Sequence, residues 1–414
     1  MAIRTRSLLS PTFVAVCALL GATSTFAHPA FDPYDDTRFA PITRFGPSVG
    51  VEVVADGLTA PLKGVTAPGQ PNRLYVVDQP GILWAIDLTT GAKSVFLNVG
   101  RTGLNRLVTL GVCGPNSFDE RGLLGVAFHP NYQQNGLLYP YTSEPNSATL
   151  PATLPTFIPG TPDHQNVIAE WRVLTPGNPA SMVAPGSRRE LIRVSWPQFN
   201  HNGSDLAFGP DGKLYGIVGD AHDAANAQDL SDEDRGKIIR IKADGGVPGN
   251  NPFGDRVWAF GIRNSFGFDF NPDDGVLWET ENGPACNDEV NVIRKGRNYG
   301  WGSDETCEGA SPGNTNQDGP DPILPELFYE SPVGITGIAF CDGCRLGRRS
   351  EGSAYFGAVN NGDVTRMILT DAGMGVERRG VVYDHGSSTL SFEVGPGGRI
   401  YFSDFDGIYK LVRR

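Results

Sequence analysis

Pro210-Asp211-Gly212-Lys213-Leu214-Tyr215 is a tight turn that runs straight into an apolar, aromatic stretch, and the same device recurs along the chain. Its other copies are Pro71-Asn72-Arg73-Leu74-Tyr75, Asn135-Gly136-Leu137-Leu138-Tyr139, Pro272-Asp273-Asp274-Gly275-Val276-Leu277-Trp278, Glu351-Gly352-Ser353-Ala354-Tyr355 and Pro396-Gly397-Gly398-Arg399-Ile400-Tyr401. Pro presets φ, Asp and Asn tolerate the left-handed region, and Gly supplies positive φ. The alternating residues that follow suit a half-buried strand. One small sheet cannot bury its own face, whereas sheets stacked around an axis can. Six such copies predict an all-β fold, a six-bladed β-propeller with loop insertions. A sandwich with repeated hairpins is the competing arrangement. Ring closure is expected to pair a strand near 51–54 with the last one, 407–412. Helical signal is confined to 224–234, and 146–163 and 307–325 read as long surface loops.

The chain has 414 residues with 53 Gly, 32 Pro and a formal net charge of -12, so turns punctuate apolar runs throughout. An acidic surface argues against nucleic acid, whose phosphates require clustered Lys and Arg. It suits a neutral substrate such as a sugar. The first 27 residues read as a secretory signal: Arg4 and Arg6, an apolar core over 13–20, then Thr25-Phe26-Ala27 for cleavage. The expected organisation is a leader at 1–27 and one propeller domain at 28–414. The mature chain is then periplasmic or secreted, with no transmembrane segment. Cys17 lies in the leader. In an oxidising compartment Cys341 and Cys344 can form a tight bridge, and Cys286 can pair with either Cys307 or Cys113. A lone C-x-x-C lacks the second ligand pair of a zinc site. His129, in a Phe-His-Pro turn, reads as structural.

Several further segments appear in a fixed order: Glu120-Arg121-Gly122-Leu123-Leu124-Gly125, His201-Asn202-Gly203, Gly236-Lys237-Ile238-Ile239-Arg240, Gly261-Ile262-Arg263-Asn264, Glu281-Asn282-Gly283-Pro284 and Asn298-Tyr299-Gly300-Trp301. Together they resemble the glucose/sorbosone dehydrogenase family, six-bladed propellers that oxidise sugars with pyrroloquinoline quinone (PQQ) and calcium. The resemblance implies an oxidoreductase acting on a sugar or polyol and passing electrons to an external acceptor. It makes His201 the general base, a task suited to imidazole. It places Arg263 and Asn264 on the quinone, with Arg263 able to stabilise developing negative charge. Asn282, Gly283 and Pro284 become the turn whose carbonyls hold the cofactor's Ca²⁺. Glu120 faces the sugar, while Glu289 and the Tyr299 carbonyl hold a second, structural Ca²⁺.

Two departures stand against this pattern. Asn360 occupies a position where the resemblance implies Lys, and 386–391 lacks an expected pair of Arg. Buried carboxylates without cationic partners are costly, so quinone affinity is expected to suffer. The alternative reading is a calcium-stabilised propeller without quinone that binds a glycan or protein partner. A third is hydrolase or lyase chemistry using His201 and a metal.

Overall fold

The computed structural model describes strand Ala40–Pro41 and residues 49–110, 119–146, 164–178, 181–232, 234–303, 307 and 309–414. All lie in the compact unit Tyr34–Arg414. The leader, Cys113 and almost all of the 146–163 insertion fall outside the described residues.

Six antiparallel sheets form the blades of the propeller. Blade one is Pro61–Val65, Arg73–Asp78, Ile82–Asp87 and Lys93–Asn98; blade two is Leu123–Phe128, Leu137–Glu144, His164–Arg172 and Arg189–Trp196. Blade three is Leu206–Phe208, Leu214–Val218, Lys237–Ile241 and Val257–Phe260; blade four is Ser265–Phe270, Leu277–Glu281, Asp288–Ile293 and Leu327–Tyr329. Blade five is Ile335–Phe340, Ser353–Ala358, Asp363–Leu369 and Val376–Asp384, with Ala40–Pro41 added in parallel at its edge. Blade six takes Ser391–Val394, Ile400–Ser403 and Ile408–Arg413 from the C-terminus and its outer strand, Val49–Ala55, from the other end of the chain. Val51 opposite Leu411 sets that antiparallel register, the closure expected from the sequence.

Each of the six turn copies feeds the second strand of a blade. The turns therefore gather at one end of the ring, and the loops after the second strands, with the connections between blades, gather at the other. Packing between blades holds the ring. Tyr75, Phe96, Phe128 and Trp171 fill one such seam, Trp278, Phe340 and Phe356 a second, and Tyr355, Phe392 and Phe402 a third. Burying each such side chain contributes roughly 1.5–3 kcal/mol.

Two short α-helices interrupt the β pattern among the described residues. Ala225–Gln228 lies in the expected stretch, but Tyr132–Asn135 corrects the view that helix is confined to 224–234. Tyr132 is buried there, and Gly136, at φ 65°, ends the turn by donating to the Tyr132 carbonyl. Four residues are too few to show a 3.6-residue period. Disulfides join Cys286 to Cys307 and Cys341 to Cys344. No helix among the described residues is long and apolar enough to cross a membrane.

The first strands of the blades line the axis. Midway along it, the Lys63 ammonium of blade one bonds Asp205, just before blade three, and lies 3.2 Å from Glu393 of blade six. Together with Phe392, these groups divide the axis into a cavity of about 170 Å³ on the loop side and one of about 800 Å³ on the turn side.

Candidate active site

The loop-side end collects the residues that carry chemistry. His201 lies in the connection from blade two to blade three, at φ 54°, and its backbone N–H donates to Glu120 Oε2 at 2.5 Å. Its ring Nδ1 is 2.6 Å from Asp220 Oδ1. Ionised Asp accepts only, so Nδ1 carries the hydrogen and Nε2 keeps its lone pair. The other Asp220 oxygen accepts the Trp301 indole N–H at 2.9 Å. The Arg263 guanidinium stacks 5.1 Å from the Trp301 ring, and the Arg263 carbonyl accepts the Asp220 backbone N–H at 2.7 Å. Imidazole and guanidinium are thus tied to one carboxylate and one indole at the same end of the ring.

Burial is the largest influence on His201 and lowers its pKa, against the opposing pull of Asp220. The ring is therefore held neutral, the form a base needs. Burial also raises the Glu120 carboxyl to about 7 despite the N–H groups it accepts. Glu120 lines the axial cavity with Gln79, Asn264 and Asn282. His201 and Arg263 stand at its edge rather than within it.

Arg263 and Asn264 connect blade three to blade four, and both backbone N–H groups donate to Glu281 Oε1, at 3.1 and 2.6 Å. Arg263 Nη1 donates to the carbonyls of Asn282 and Gly283 at 2.9 and 3.2 Å. The Asn282-Gly283-Pro284 turn is set by Asp288, which accepts the N–H groups of Gly283 and Gly334. At Gly283 a Cβ would lie 1.7 Å from the Cys286 carbonyl, so only glycine fits. This is a carbonyl-bearing turn of the kind a hard cation takes.

Glu289 belongs to a second constellation. Cross-strand register in blade four places Glu279 opposite Asn291 and Glu281 opposite Glu289, all buried on one face. Glu279 Oε1, Glu281 Oε2, Asn291 Oδ1 and Asn316 Oδ1 are out of water and have no hydrogen-bond partner among the described residues. Burial raises Glu279 to about 7 and Glu289 to about 8, and lifts Glu281 well above its usual value. Asn316 donates to Glu289 at 2.8 Å, and its carbonyl lies against Gly300, next to Tyr299. A set of buried oxygens short of positive charge fits a hard divalent cation.

The fit to PQQ is divided. The reacting half finds His201, Arg263, Asn264 and the Gly283 turn together. Among the described residues, the half that would receive its carboxylates does not find free cations: Lys63 lines the axial cavity, and it is committed to Asp205 and Glu393. Asn360 donates to the Pro332 carbonyl and Ser388 to the Val359 carbonyl.

Sequence reading missed Asp220 and His222. Blade three's hairpin register was the available signal: Leu206 opposes Gly216, which carries 201 and 220 to the same end. His129, read as structural, accepts the Asn131 N–H and packs beside Tyr139 and Phe208.

The family model for glucose/sorbosone dehydrogenase matches residues 115–413. The chain belongs to that family. It is 30% identical over 219 residues to the aldose sugar dehydrogenase of Escherichia coli K12, covering 49% of this chain and 56% of that protein. It is 30% identical over 210 residues to quinoprotein glucose dehydrogenase B of Acinetobacter calcoaceticus, covering 44% and 40%. It is also 32% identical over 199 residues to the mouse Hedgehog-interacting protein, 47% of this chain and 26% of the relative. The matches thus span about half the length, or less, of these curated relatives. A solved glucose dehydrogenase superposes with a TM-score of 0.69 at 25% identity over 87% of this chain and 98% of its own. PQQ-bound aldose sugar dehydrogenase from Streptomyces coelicolor shares the fold, with a TM-score of 0.67 at 23% identity over 89% of this chain and all of its own.

Proposed function

We propose that this glucose/sorbosone dehydrogenase family member is an exported oxidoreductase that oxidises a hydroxyl of an aldose or polyol, using PQQ and Ca²⁺. The observation that carries the reading is His201 locked to Asp220 through Nδ1, with Nε2 left as a base beside Arg263. His201 Nε2 takes the hydroxyl proton as the C–H hydride leaves. When bound, the quinone supplies the hydride acceptor, and an external acceptor later removes the electrons. Arg263 and Asn264 would hold its reacting edge, and the Gly283 and Pro284 carbonyls its Ca²⁺. Arg263 opposes negative charge that develops there. Glu120, in the wall of the cavity, would face the sugar. Glu289 and the Tyr299 carbonyl, with Glu279 and Glu281 nearby, would hold a second Ca²⁺ that stiffens blade four.

Reconstitution tests the reading. Apo-protein supplied with PQQ and Ca²⁺ should reduce a dye when aldoses are added, and the quinone absorbance should shift on binding. Absence of both overturns it. The cation-poor cavity favours a second reading, a calcium-stabilised propeller that binds a glycan or protein partner. Relatives named Hedgehog-interacting protein lend it support. Quinone titration separates the two, since the second reading requires no binding at any concentration.

A further inference from the structure

His222 is an exposed histidine whose ring meets that of buried His201. Its Nδ1 is 3.4 Å from His201 Nε2, and the two rings lie edge to face with centroids 4.7 Å apart. The backbone is shaped for this contact. Ala221 and His222 both adopt positive φ, at 61° and 58°, and the His222 N–H donates to Asp220 Oδ1, the oxygen that also receives His201 Nδ1–H. Residues without a Gly exemption rarely adopt two such conformations in succession. The same nitrogen, His222 Nδ1, lies 3.1 Å from Asn200 Nδ2.

These partners fix the hydrogens. Asp220 holds the hydrogen of His201 on Nδ1, so the lone pair is on Nε2. The Asn200 amide donates to His222 Nδ1, so that ring carries its hydrogen on Nε2. The single lone pair of His222 Nδ1, which accepts the Asn200 amide hydrogen, thus lies on the nitrogen 3.4 Å from His201 Nε2. A proton arriving on His201 Nε2 competes with that neutral amide for it, and the charged donor makes the stronger bond.

We propose that His222 carries the proton taken up by His201 out to solvent. This rests on the dehydrogenase reading, in which sugar oxidation leaves a proton on His201 Nε2 in each turnover. That proton crosses to His222 Nδ1, the Nε2–H of His222 is released to water, and ring reorientation or tautomer exchange resets the pair. One proton enters from the substrate and one leaves. The hydride and its electrons follow the separate route to the quinone. The groups facing the pair are Asp220, with Trp301 on its second oxygen, Glu120 on the His201 backbone, Arg263 across the site and Asp223 beside His222 in sequence.

His222→Asn is the informative variant, because Asn tolerates the positive φ but holds no proton near neutrality. In the reconstituted holoenzyme, turnover in dilute non-nitrogenous buffer should fall about tenfold, with the sugar KM unchanged, and free imidazole should restore it. Unchanged turnover, or a loss that imidazole does not rescue, overturns the relay. A second measurement uses the apo-protein and needs neither quinone nor sugar. Histidine ring NMR should show His201 titrating in two steps in the parent, because the rings compete for one proton, and in one step in His222→Asn. One identical step in both also overturns it. Two-step titration with no turnover under any condition leaves the proton-sharing pair standing and removes the dehydrogenase reading instead.

Discussion

Blades three and four present the same kinds of loop to the same end of the ring as blades five and six, yet the two pairs are furnished differently. On the first pair, the connections and post-strand turns carry His201, Asp220, Arg263 and Asn264, backed by the carboxylates of Glu279, Glu281 and Glu289. On the second, the equivalent loops offer Asn360 and Ser388, each occupied with a backbone carbonyl. The difference teaches that one side of the mouth is built as a block of mutually bonded charged groups, while the other is furnished with neutral ones. Buried ionic clusters constrain their neighbours strongly, because removing one partner leaves an uncompensated charge. Neutral amides and hydroxyls at a rim carry no such penalty.

The largest effect should come from breaking the chemical half of this contrast. His201→Gln should lower turnover of the reconstituted enzyme about 10²–10⁴-fold while circular dichroism is unchanged. An intact rate would show that blades three and four do not carry the base. Next comes the cation set of blade four. Saturating Ca²⁺ at about a hundredfold over its Kd should stabilise the protein by about 2.7 kcal/mol, seen as a raised Tm. Glu279→Gln with Glu289→Gln should abolish that shift.

The pH dependence sharpens the point, because its sign depends on the ion. Glu279 and Glu289 have folded pKa values of about 7 and about 8, above the ordinary 4.5. Without a cation their contribution is fully present below pH 4.5 and is lost as pH rises toward 8, since folding favours the protonated acids. Ca²⁺ requires the ionised form, so in its presence stability should instead increase with pH over that window. Denaturant melts at pH 5 and pH 8, with and without Ca²⁺, measure both slopes.

A smaller effect is expected from refurnishing the other pair of blades. Asn360→Lys with Ser388→Arg should tighten PQQ binding about tenfold, through charge-assisted bonds to its carboxylates. No gain would show that these loops do not face the cofactor. The smallest effect is the shape of the pH–rate profile. Because burial lowers the His201 pKa, the acid limb of kcat/KM should have its midpoint below 6.5.

Much of this was legible in the sequence because it rests on local chemistry. A Pro-Asp-Gly turn before Leu214-Tyr215 announces a hairpin, and six turn-to-strand copies of that kind, each rich in Pro, Asn, Asp or Gly, announce a ring. His201, Arg263 and Gly283 were visible as members of motifs in a fixed order. The partners that make them work were harder to see. Asp220 reaches His201 only through hairpin register, and Trp301 reaches Asp220 from 81 residues away. The choice of Cys307 for Cys286 is likewise settled by folding rather than spacing, with the two Cα atoms brought to 5.6 Å. Lys63 gave no signal at all, because its partners, Asp205 and Glu393, come from blades distant in the chain.

Blade six has a consequence for how the molecule is made. Its outer strand, Val49–Ala55, is among the earliest parts of the propeller to be synthesised, while Ile408–Arg413, to which it zips, is the last. Until Ile408–Arg413 is made, the early strand has no mate, and its edge is open to pairing with a neighbouring copy. Closure of the ring therefore waits for the last strand of blade six. Removing that strand would yield a product prone to association rather than a slightly weaker version of the same protein.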